Sequence, residues 1–233
     1  MKYKDVIVAD ETAELLRTYA ERYETSDFII GDPSWFMHQV ESAEDRIALA
    51  FLASALSYGS RKQFFPKIQF IIDAAQGDVD SWVRSGEWRK DIPDTAKCYY
   101  RLYKFGDMHR LIAAYEEMLR EYGSMKEYVR SHASTGIEAV SAICRYFAEH
   151  DASTVVPRNT QSACKRVCMF LRWMVRSGSP VDLGLWADII DRRTLIMPLD
   201  THVVQEVRSL RLRKGRTASM ATGRRLTDAM LEV

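Results

Sequence analysis

Residues Gln161–Arg176 read QSACKRVCMFLRWMVR, and this stretch decides how the rest of the chain is interpreted. Its apolar side chains recur at the spacing of a helix with one buried face, which predicts an amphipathic helix. Lys165 lies in the first turn, where the positive helix end disfavours a protonated lysine, and a neutral lysine is a nucleophile. A surface lysine that packs over Met169 or pairs with a phosphate explains the same pattern. A chemical role for Lys165 therefore needs a second group.

Helical periodicity continues along nearly the whole chain on both sides of this stretch. Capping and stop signals mark further helices, which are predicted to start at Asp10, near Ser42 and at Asp107, and to stop at Gly59 and Gly123; capping boxes are predicted at Ser124 with Glu127 and at Thr135 with Glu138. No segment shows a convincing strand alternation, and 11 glycines and 6 prolines are too few for a turn-rich β-fold. The sequence therefore predicts an all-α protein of about ten helices.

A second stretch, PLDTHVVQEV at Pro198–Val207, carries a carboxylate at the start of a helix. The preceding run TLIMPL is predicted to be extended, and Asp200 then caps a basic helix. Ordinary N-capping by Asp200 and a packing role for His202 explain these residues equally well.

Composition and charge narrow the function classes. The chain has 233 residues, of which 47% are hydrophobic and 28% charged, with no apolar run near the ~20 residues of a membrane span and no secretory leader pattern. We therefore expect a cytoplasmic protein without a membrane partner. The four cysteines contain no Cys-x-x-Cys pair, which predicts reduced, buried thiols and neither a metal nor another cofactor.

The net charge is only +1, but it is unevenly distributed. Ten carboxylates lie between Asp10 and Asp45, whereas 152–181 and 207–227 contain five and seven basic residues and no carboxylate. Two basic stretches of this kind form either one anion-binding face or two solvated helix faces.

Taken together, the two stretches resemble a known enzyme core. Lys165, the apolar helix and Pro-Leu-Asp-Thr-His-Val are similar to the catalytic core of the helix-hairpin-helix (HhH-GPD) DNA glycosylase superfamily, of the endonuclease III type. Ile47–Phe64, IALAFLASALSYGSRKQF, looks like the superfamily's early helix and DNA-probing loop. The separation of Lys165 and Asp200 resembles that of the archaeal 8-oxoguanine glycosylase branch.

A closer resemblance is to the bacterial family DUF2400, a family of unknown function. Four phrases look like its signature segments, namely GDPSWF (Gly31–Phe36), CKRVCMFLRWMVR (Cys164–Arg176), VDLGLW (Val181–Trp186) and PLDTHV (Pro198–Val203). The superfamily's glycine-containing hairpin before the lysine is replaced here by TVVPRNTQSAC (Thr154–Cys164), which has no glycine.

The superfamily resemblance implies a two-lobed helical fold with a cleft between the lobes. An N-terminal segment, 1–44, packs with a C-terminal lobe, 165–233, that carries the catalytic-type motifs, and 45–164 forms a central lobe. Lys165 attacks the sugar of a flipped-out base and forms a Schiff base, while Asp200 helps to deprotonate the lysine and stabilises the cationic sugar. Both roles require Ser177–Leu199 to loop back so that the two side chains meet.

The same resemblance assigns the remaining candidate residues. Met169 and Trp173 wall the base pocket, Gln161 reads a base edge and Tyr58 wedges into the duplex, although core packing, solvent exposure or capping explains each of them too. Five basic residues are candidates for phosphate contacts: Arg158, Arg166, Arg213, Lys214 and Arg216.

The sequence thus predicts a monomeric base-excision glycosylase with AP-lyase activity, acting on duplex DNA with a flipped base, with oxidised guanine favoured by analogy. The alternative is a non-catalytic DNA-binding or nucleotide-binding protein that retains the glycosylase fold, which the altered hairpin favours. A third reading is a helical module that binds a partner protein.

Overall fold

A computed structural model describes residues 8–209, 217–231 and 233, and within these ranges the chain is mostly helical. The all-α prediction is confirmed. The α-helices are α1 Asp10–Tyr23, α2 Ser26–Ile29, α3 Ala43–Leu56, α4 Arg61–Ala74, α5 Val79–Arg84, α6 Trp88–Asp91, α7 Phe105–Tyr122, α8 Met125–His132, α9 Gly136–Glu149, α10 Lys165–Val175, α11 Thr201–Ser209 and α12 Met220–Met230. Short 3-10 helices cover Pro33–His38 and Arg192–Thr194. None of the described helices combines the length and the apolar character needed to cross a bilayer.

Side-chain caps fix several helix starts where the sequence predicts them. The Ser42 hydroxyl accepts a hydrogen bond from the amide of Asp45 at the start of α3. Thr135 and Glu138 form a reciprocal capping box at the start of α9. Gly123 ends α7 with a φ of 76°, a conformation that glycine adopts at little cost.

Three predicted boundaries are wrong by one to three residues. Asp107 is not the N-cap of α7; its carboxylate accepts the amide of Lys104 from the third helical position, so the helix begins at Phe105. Ala9, not Asp10, is the N-cap of α1. α3 ends at Leu56, three residues before Gly59.

A small antiparallel hairpin between α6 and α7 is absent from the sequence prediction. Its strands are β1, Cys98–Tyr100, and β2, Tyr103–Lys104. Strands this short carry too few positions for an apolar–polar alternation to be recognised. The turn consists of Arg101, with a φ of 50°, and Leu102.

The main core is built around α3. Nearly all of α3 is buried, and α10 packs against both α3 and α9. The ring of Phe51 in α3 lies 4.9 Å from that of Phe147, 5.3 Å from Tyr115 and 5.6 Å from Phe170, which links α3 to α9, α7 and α10. The helix that carries Lys165 is therefore held in place by the main core.

A second, smaller apolar cluster forms around Leu199, Val207 and Leu226. Leu16 of α1 and Met230 of α12 pack against it. The rest of the α1 face is more open, since Leu15, Tyr19 and Tyr23 remain 38%, 44% and 48% exposed. The main cluster continues past residue 164 into α10, and the predicted division into 1–44, 45–164 and 165–233 stays a prediction.

Candidate functional site

Lys165 is the first residue of α10, and its position follows from the residues around it. Cys164 immediately before it adopts a left-handed conformation, with φ 46° and ψ 37°, and provides no side-chain cap. Val167 and Cys168 are buried in the main core, which orients the first turn of the helix. The Lys165 side chain remains 38% exposed at the edge of that core.

The chain after α10 turns back along a path fixed by hydrogen bonds. The amides of Leu183 and Gly184 donate to the carbonyl of Trp173, and the amide of Trp186 donates to Met174. Further along, the Thr194 hydroxyl accepts the amide of Gly136 at the start of α9. These contacts return the extended segment before Asp200 to the side of α10.

Lys165 and Asp200, 35 positions apart, meet at this point. Lys165 Nζ donates to Asp200 Oδ2 at 2.8 Å, so the loop-back that the sequence analysis requires is present. Asp200 Oδ1 accepts the amide of Val203 at 2.9 Å and thereby caps α11 as predicted. Partial burial raises the pKa of Asp200, but the hydrogen bonds from Lys165 and Val203 and the nearby positive charges outweigh it and hold this pKa below its ordinary value.

The pair has the geometry of a nucleophile beside a proton acceptor. An ammonium group must lose a proton before its nitrogen can attack, and a carboxylate oxygen within hydrogen-bond distance can take that proton. Both side chains are about one-third exposed, so a reacting group from solvent can approach them. The chemical roles of Lys165 and Asp200 stay predictions.

A cavity of about 640 Å³ is lined in part by Pro198, which is two residues before Asp200 in the chain. Met197 and Pro198 form part of its wall, together with residues of α1, α2, α10, α12 and the 3-10 helix Arg192–Thr194. Three of its side chains are aromatic and substantially exposed: Tyr19, Tyr23 and Phe28. Such a site can hold a flat apolar group.

Arg172 of α10 and Arg176, the residue directly after this helix, line the same cavity. At 3.6 residues per turn, Arg172 and Arg176 lie within about 20° of Lys165 around the helix axis. Arg176 pairs with Glu24 of the segment after α1, and both arginines lie 3.4–3.5 Å from Asp182. The carboxylate of Asp182 is fully buried and has no hydrogen bond from the described residues. Burial raises the pKa of Asp182, although Arg172 and Arg176 oppose that shift.

Asp182, Arg172 and Arg176 were not predicted as site residues from the sequence. Asp182 belongs to the quoted phrase VDLGLW, and the seven-residue and eleven-residue offsets of the two arginines from Lys165 were visible in the sequence. The helical offset is the signal that could have identified them.

The predicted pocket residues have different placements. Trp173 lies eight positions after Lys165, about 80° away around the helix, and is only 2% exposed within the main core. This burial agrees with the packing alternative for Trp173. Met169 is half-buried against the same core, and Gln161 is exposed in the loop before α10. The roles of Met169 and Trp173 as a pocket wall and of Gln161 as a reader of a base edge stay predictions.

Tyr58 lies beside the unpredicted hairpin. Its ring is 44% exposed and lies 5.0 Å from the guanidinium of Arg101, and its carbonyl accepts a hydrogen bond from the Tyr100 hydroxyl. The neighbouring Leu102 is 76% exposed at the hairpin tip. The hairpin tip therefore exposes an apolar side chain next to an arginine, which was not predicted from the sequence.

The five basic residues that were predicted to contact phosphates also have different placements. Arg166 is half-buried and donates to the carbonyl of Ala55 at 2.6 Å and to the Tyr103 hydroxyl, which joins α10 to the end of α3 and to β2. Arg158 is exposed in the loop before α10. The other three candidates, Arg213, Lys214 and Arg216, lie outside the described residues.

This difference predicts opposite phenotypes for two alanine substitutions. Arg166→Ala is expected to lower the free energy of unfolding by about 1.5–3 kcal/mol, because it removes charge-assisted hydrogen bonds. Arg158→Ala is expected to change stability by less than about 0.5 kcal/mol. If the protein binds DNA, Arg158→Ala should also make the fall of DNA affinity with rising salt concentration less steep, by the amount expected for about one phosphate contact. Urea denaturation and a salt titration of duplex binding measure the two effects, and an equal stability loss in both variants would contradict the assignment.

In the described ranges, His, Cys, Asp and Glu side chains form no group of three or more suited to a metal ion.

Comparison with known proteins identifies the family. The family model described as "Protein of unknown function (DUF2400)" matches residues 32–233. The chain therefore belongs to the DUF2400 family. No curated protein and no solved structure matches it.

Proposed function

We propose that the protein is a base-excision DNA glycosylase with AP-lyase activity, acting as a cytoplasmic monomer through a Schiff base on Lys165. The observation that carries the proposal is the 2.8 Å contact between Lys165 and Asp200 at the starts of two helices. Oxidised guanine is the favoured substrate by analogy alone.

The proposed reaction begins with transfer of a proton from the Lys165 ammonium to the Asp200 carboxylate. The free amine attacks the sugar carbon that holds the base, and the carbon–base bond breaks as the carbon–nitrogen bond forms. The departing base takes the bonding electrons and the proton that Asp200 had accepted. The sugar ring then opens to give the Schiff base, and the ring oxygen takes a proton from the attacking nitrogen. Elimination follows: a proton leaves C2′ to water, a C2′–C3′ double bond forms, and the bond to the 3′ phosphate breaks. The regenerated Asp200 carboxylate stabilises the positive charge during these steps.

The flipped base is proposed to enter the cavity beside Asp200. Tyr23 and Phe28 offer aromatic surfaces for stacking, and Arg172 and Arg176 offer hydrogen-bond donors on the face of α10 that carries Lys165.

The hairpin tip is proposed to occupy the space that the flipped base leaves. Leu102 and Tyr58 are exposed, and Arg166 ties β2 to α10 one residue after Lys165. Apolar side chains that enter a duplex in this way unstack its bases. Arg166 would thus set the distance between the hairpin tip and the Lys165 amine.

The proposal includes the two-lobed fold of the helix-hairpin-helix glycosylases, with its cleft at the Lys165–Asp200 pair. The presence of two apolar clusters supports this arrangement, since α10 belongs to the larger and Leu199 to the smaller.

A non-catalytic DNA-binding or nucleotide-binding protein is the second candidate. The lowered pKa of Asp200 favours it, because a weakly basic carboxylate that is already paired with Lys165 is a poor proton acceptor. The loop before α10 also lacks the glycines that let backbone amides approach a phosphate closely.

Borohydride trapping tests the proposal. The full chain is incubated with borohydride and duplexes that carry 8-oxoguanine, uracil or an abasic site. We expect a covalent protein–DNA adduct on at least one duplex, with the modification mapped by peptide mass to Lys165. Absence of an adduct on every duplex, with salt-sensitive DNA binding retained, would replace this proposal with the non-catalytic one. Absence of DNA binding as well would favour a protein-binding module.

A further inference from the structure

Two buried cysteines approach each other directly behind the candidate site. Cys144 in α9 and Cys164 at the start of α10 have their sulfur atoms 3.9 Å apart. Cys144 is fully buried and Cys164 is 3% exposed. Gln161 and Ser162, three and two residues before Cys164, are both exposed, so a small reagent crosses little protein to reach the Cys164 sulfur.

The surroundings of Cys164 favour its thiolate. Cys144 donates a hydrogen bond to the Cys164 sulfur and thereby lowers the pKa of Cys164; burial opposes this shift, and Ser162 and the charge of Arg166 add to it. Burial raises the pKa of Cys168, one turn further along α10, to about 12. Cys164 is therefore the reactive member of the group, because thiolates are the attacking species.

The backbone at Cys164 connects the Cys144–Cys164 contact to the Lys165–Asp200 pair. A φ of 46° is uncommon for a residue with a side chain, and the next residue is Lys165. A disulfide bond is about 2.05 Å long, so bond formation must bring the two sulfur atoms closer by nearly 2 Å. Cys144 lies within a helix of the main core, so most of the movement is expected on the loop side, at Cys164.

We infer that Cys144 and Cys164 are a redox site, which hydroperoxides convert into a reversible disulfide that displaces Lys165 from Asp200. Disulfide formation needs neither DNA nor a glycosylase activity, so this inference and the proposed function fail separately.

The reaction consumes one hydroperoxide for each disulfide. The Cys164 thiolate attacks a peroxide oxygen; the sulfur–oxygen bond forms as the oxygen–oxygen bond breaks, and the leaving alcohol or water carries the proton lost by the thiol. Cys144 then attacks the sulfur of the Cys164 sulfenic acid. The sulfur–sulfur bond forms, the sulfur–oxygen bond breaks, and the hydroxide leaves with the Cys144 proton as water. Two thiols are oxidised and one peroxide is reduced.

Peptide mass analysis tests the bond directly. The full chain, with exposed Cys98 replaced by serine, is treated with hydrogen peroxide, blocked with N-ethylmaleimide and digested with trypsin. The cleavage sites separate the three buried cysteines into peptides 131–145, 159–165 and 167–172. We expect a linked pair of 131–145 with 159–165, which dithiothreitol separates. Absence of that pair from folded protein, or a link between 159–165 and 167–172 instead, would overturn the inference.

Two further measurements keep the result specific. Cys164→Ser and Cys144→Ser are expected to abolish the linked pair, whereas substitution of the buried cysteine one turn further along α10, Cys168→Ser, should leave it intact. Reductive methylation of lysines then reports the site. We expect the labelling of Lys165, relative to ion-paired Lys126, to rise about fivefold after oxidation, the size expected for release of a half-exposed ion pair. An unchanged ratio in fully oxidised protein would refute control of Lys165 by the disulfide.

Discussion

Replacing Lys165 with glutamine is expected to abolish the borohydride-stabilised DNA adduct, because an amide nitrogen cannot form a Schiff base. Glutamine keeps a polar side chain that can still donate to Asp200 Oδ2, the present partner of Lys165 at 2.8 Å. The folded structure should therefore survive the exchange. Adduct formation on the most reactive duplex, followed by gel shift under denaturing conditions, measures the effect.

Asp200→Asn is the matched comparison for this variant. Its amide oxygen can still accept the amide of Val203 and cap α11, but it no longer provides a negative charge or a proton acceptor. We expect adduct formation about 10²–10⁴-fold slower, the usual contribution of a positioned general base.

The control is Lys126→Gln, which removes another half-buried lysine whose carboxylate partner, Asp188, lies 2.7 Å away. It should leave trapping unchanged. Trapping that persists in Lys165→Gln would locate the nucleophile elsewhere and refute the role of this residue, whereas equal losses in Lys165→Gln and Lys126→Gln would indicate damage to the fold.

Local signals predicted much of the helical architecture. Ser42 and Thr135 specify helix starts through contacts that span only three residues, so the sequence shows them directly. Asp200 was predicted at a helix start as a cap of this kind, and Lys165 from the helical spacing of the apolar side chains in Gln161–Arg176. That they meet follows from contacts across long stretches of chain, such as Gly136 with Thr194, which no local pattern reveals.

The directions of side chains along α10 depend on the exact helical offset. An eight-residue step from Lys165 turns the side chain of Trp173 about 80° away, into the core. The seven-residue step to Arg172 keeps nearly the same direction and leads to the cavity. Leu102 was missed because a short hairpin has no period, and its exposure depends on the fold of the turn around it.

Phe51→Ala is expected to cause a large loss of stability, about 3–5 kcal/mol in the free energy of unfolding. Three aromatic rings surround Phe51 at centroid distances of 4.9–5.6 Å, and the side chain is only 2% exposed. Truncation leaves a cavity that such rigid neighbours fill poorly. This cost is a large part of the ~5–15 kcal/mol that stabilises a typical domain. The midpoint of urea denaturation, followed by circular dichroism, measures it.

Phe70→Ala in α4 is the control, because Phe70 is 38% exposed and should lose less than about 1 kcal/mol. If Phe51→Ala does not fold, Phe51→Leu keeps most of the volume and is expected to lose under about 1.5 kcal/mol. Equal midpoints for the alanine variants of Phe51 and Phe70 would contradict the assignment of the core centre.

Because Phe51 contacts Phe170 of α10, a folded Phe51→Leu protein should also hold Lys165 less firmly and trap DNA more slowly than Phe70→Ala.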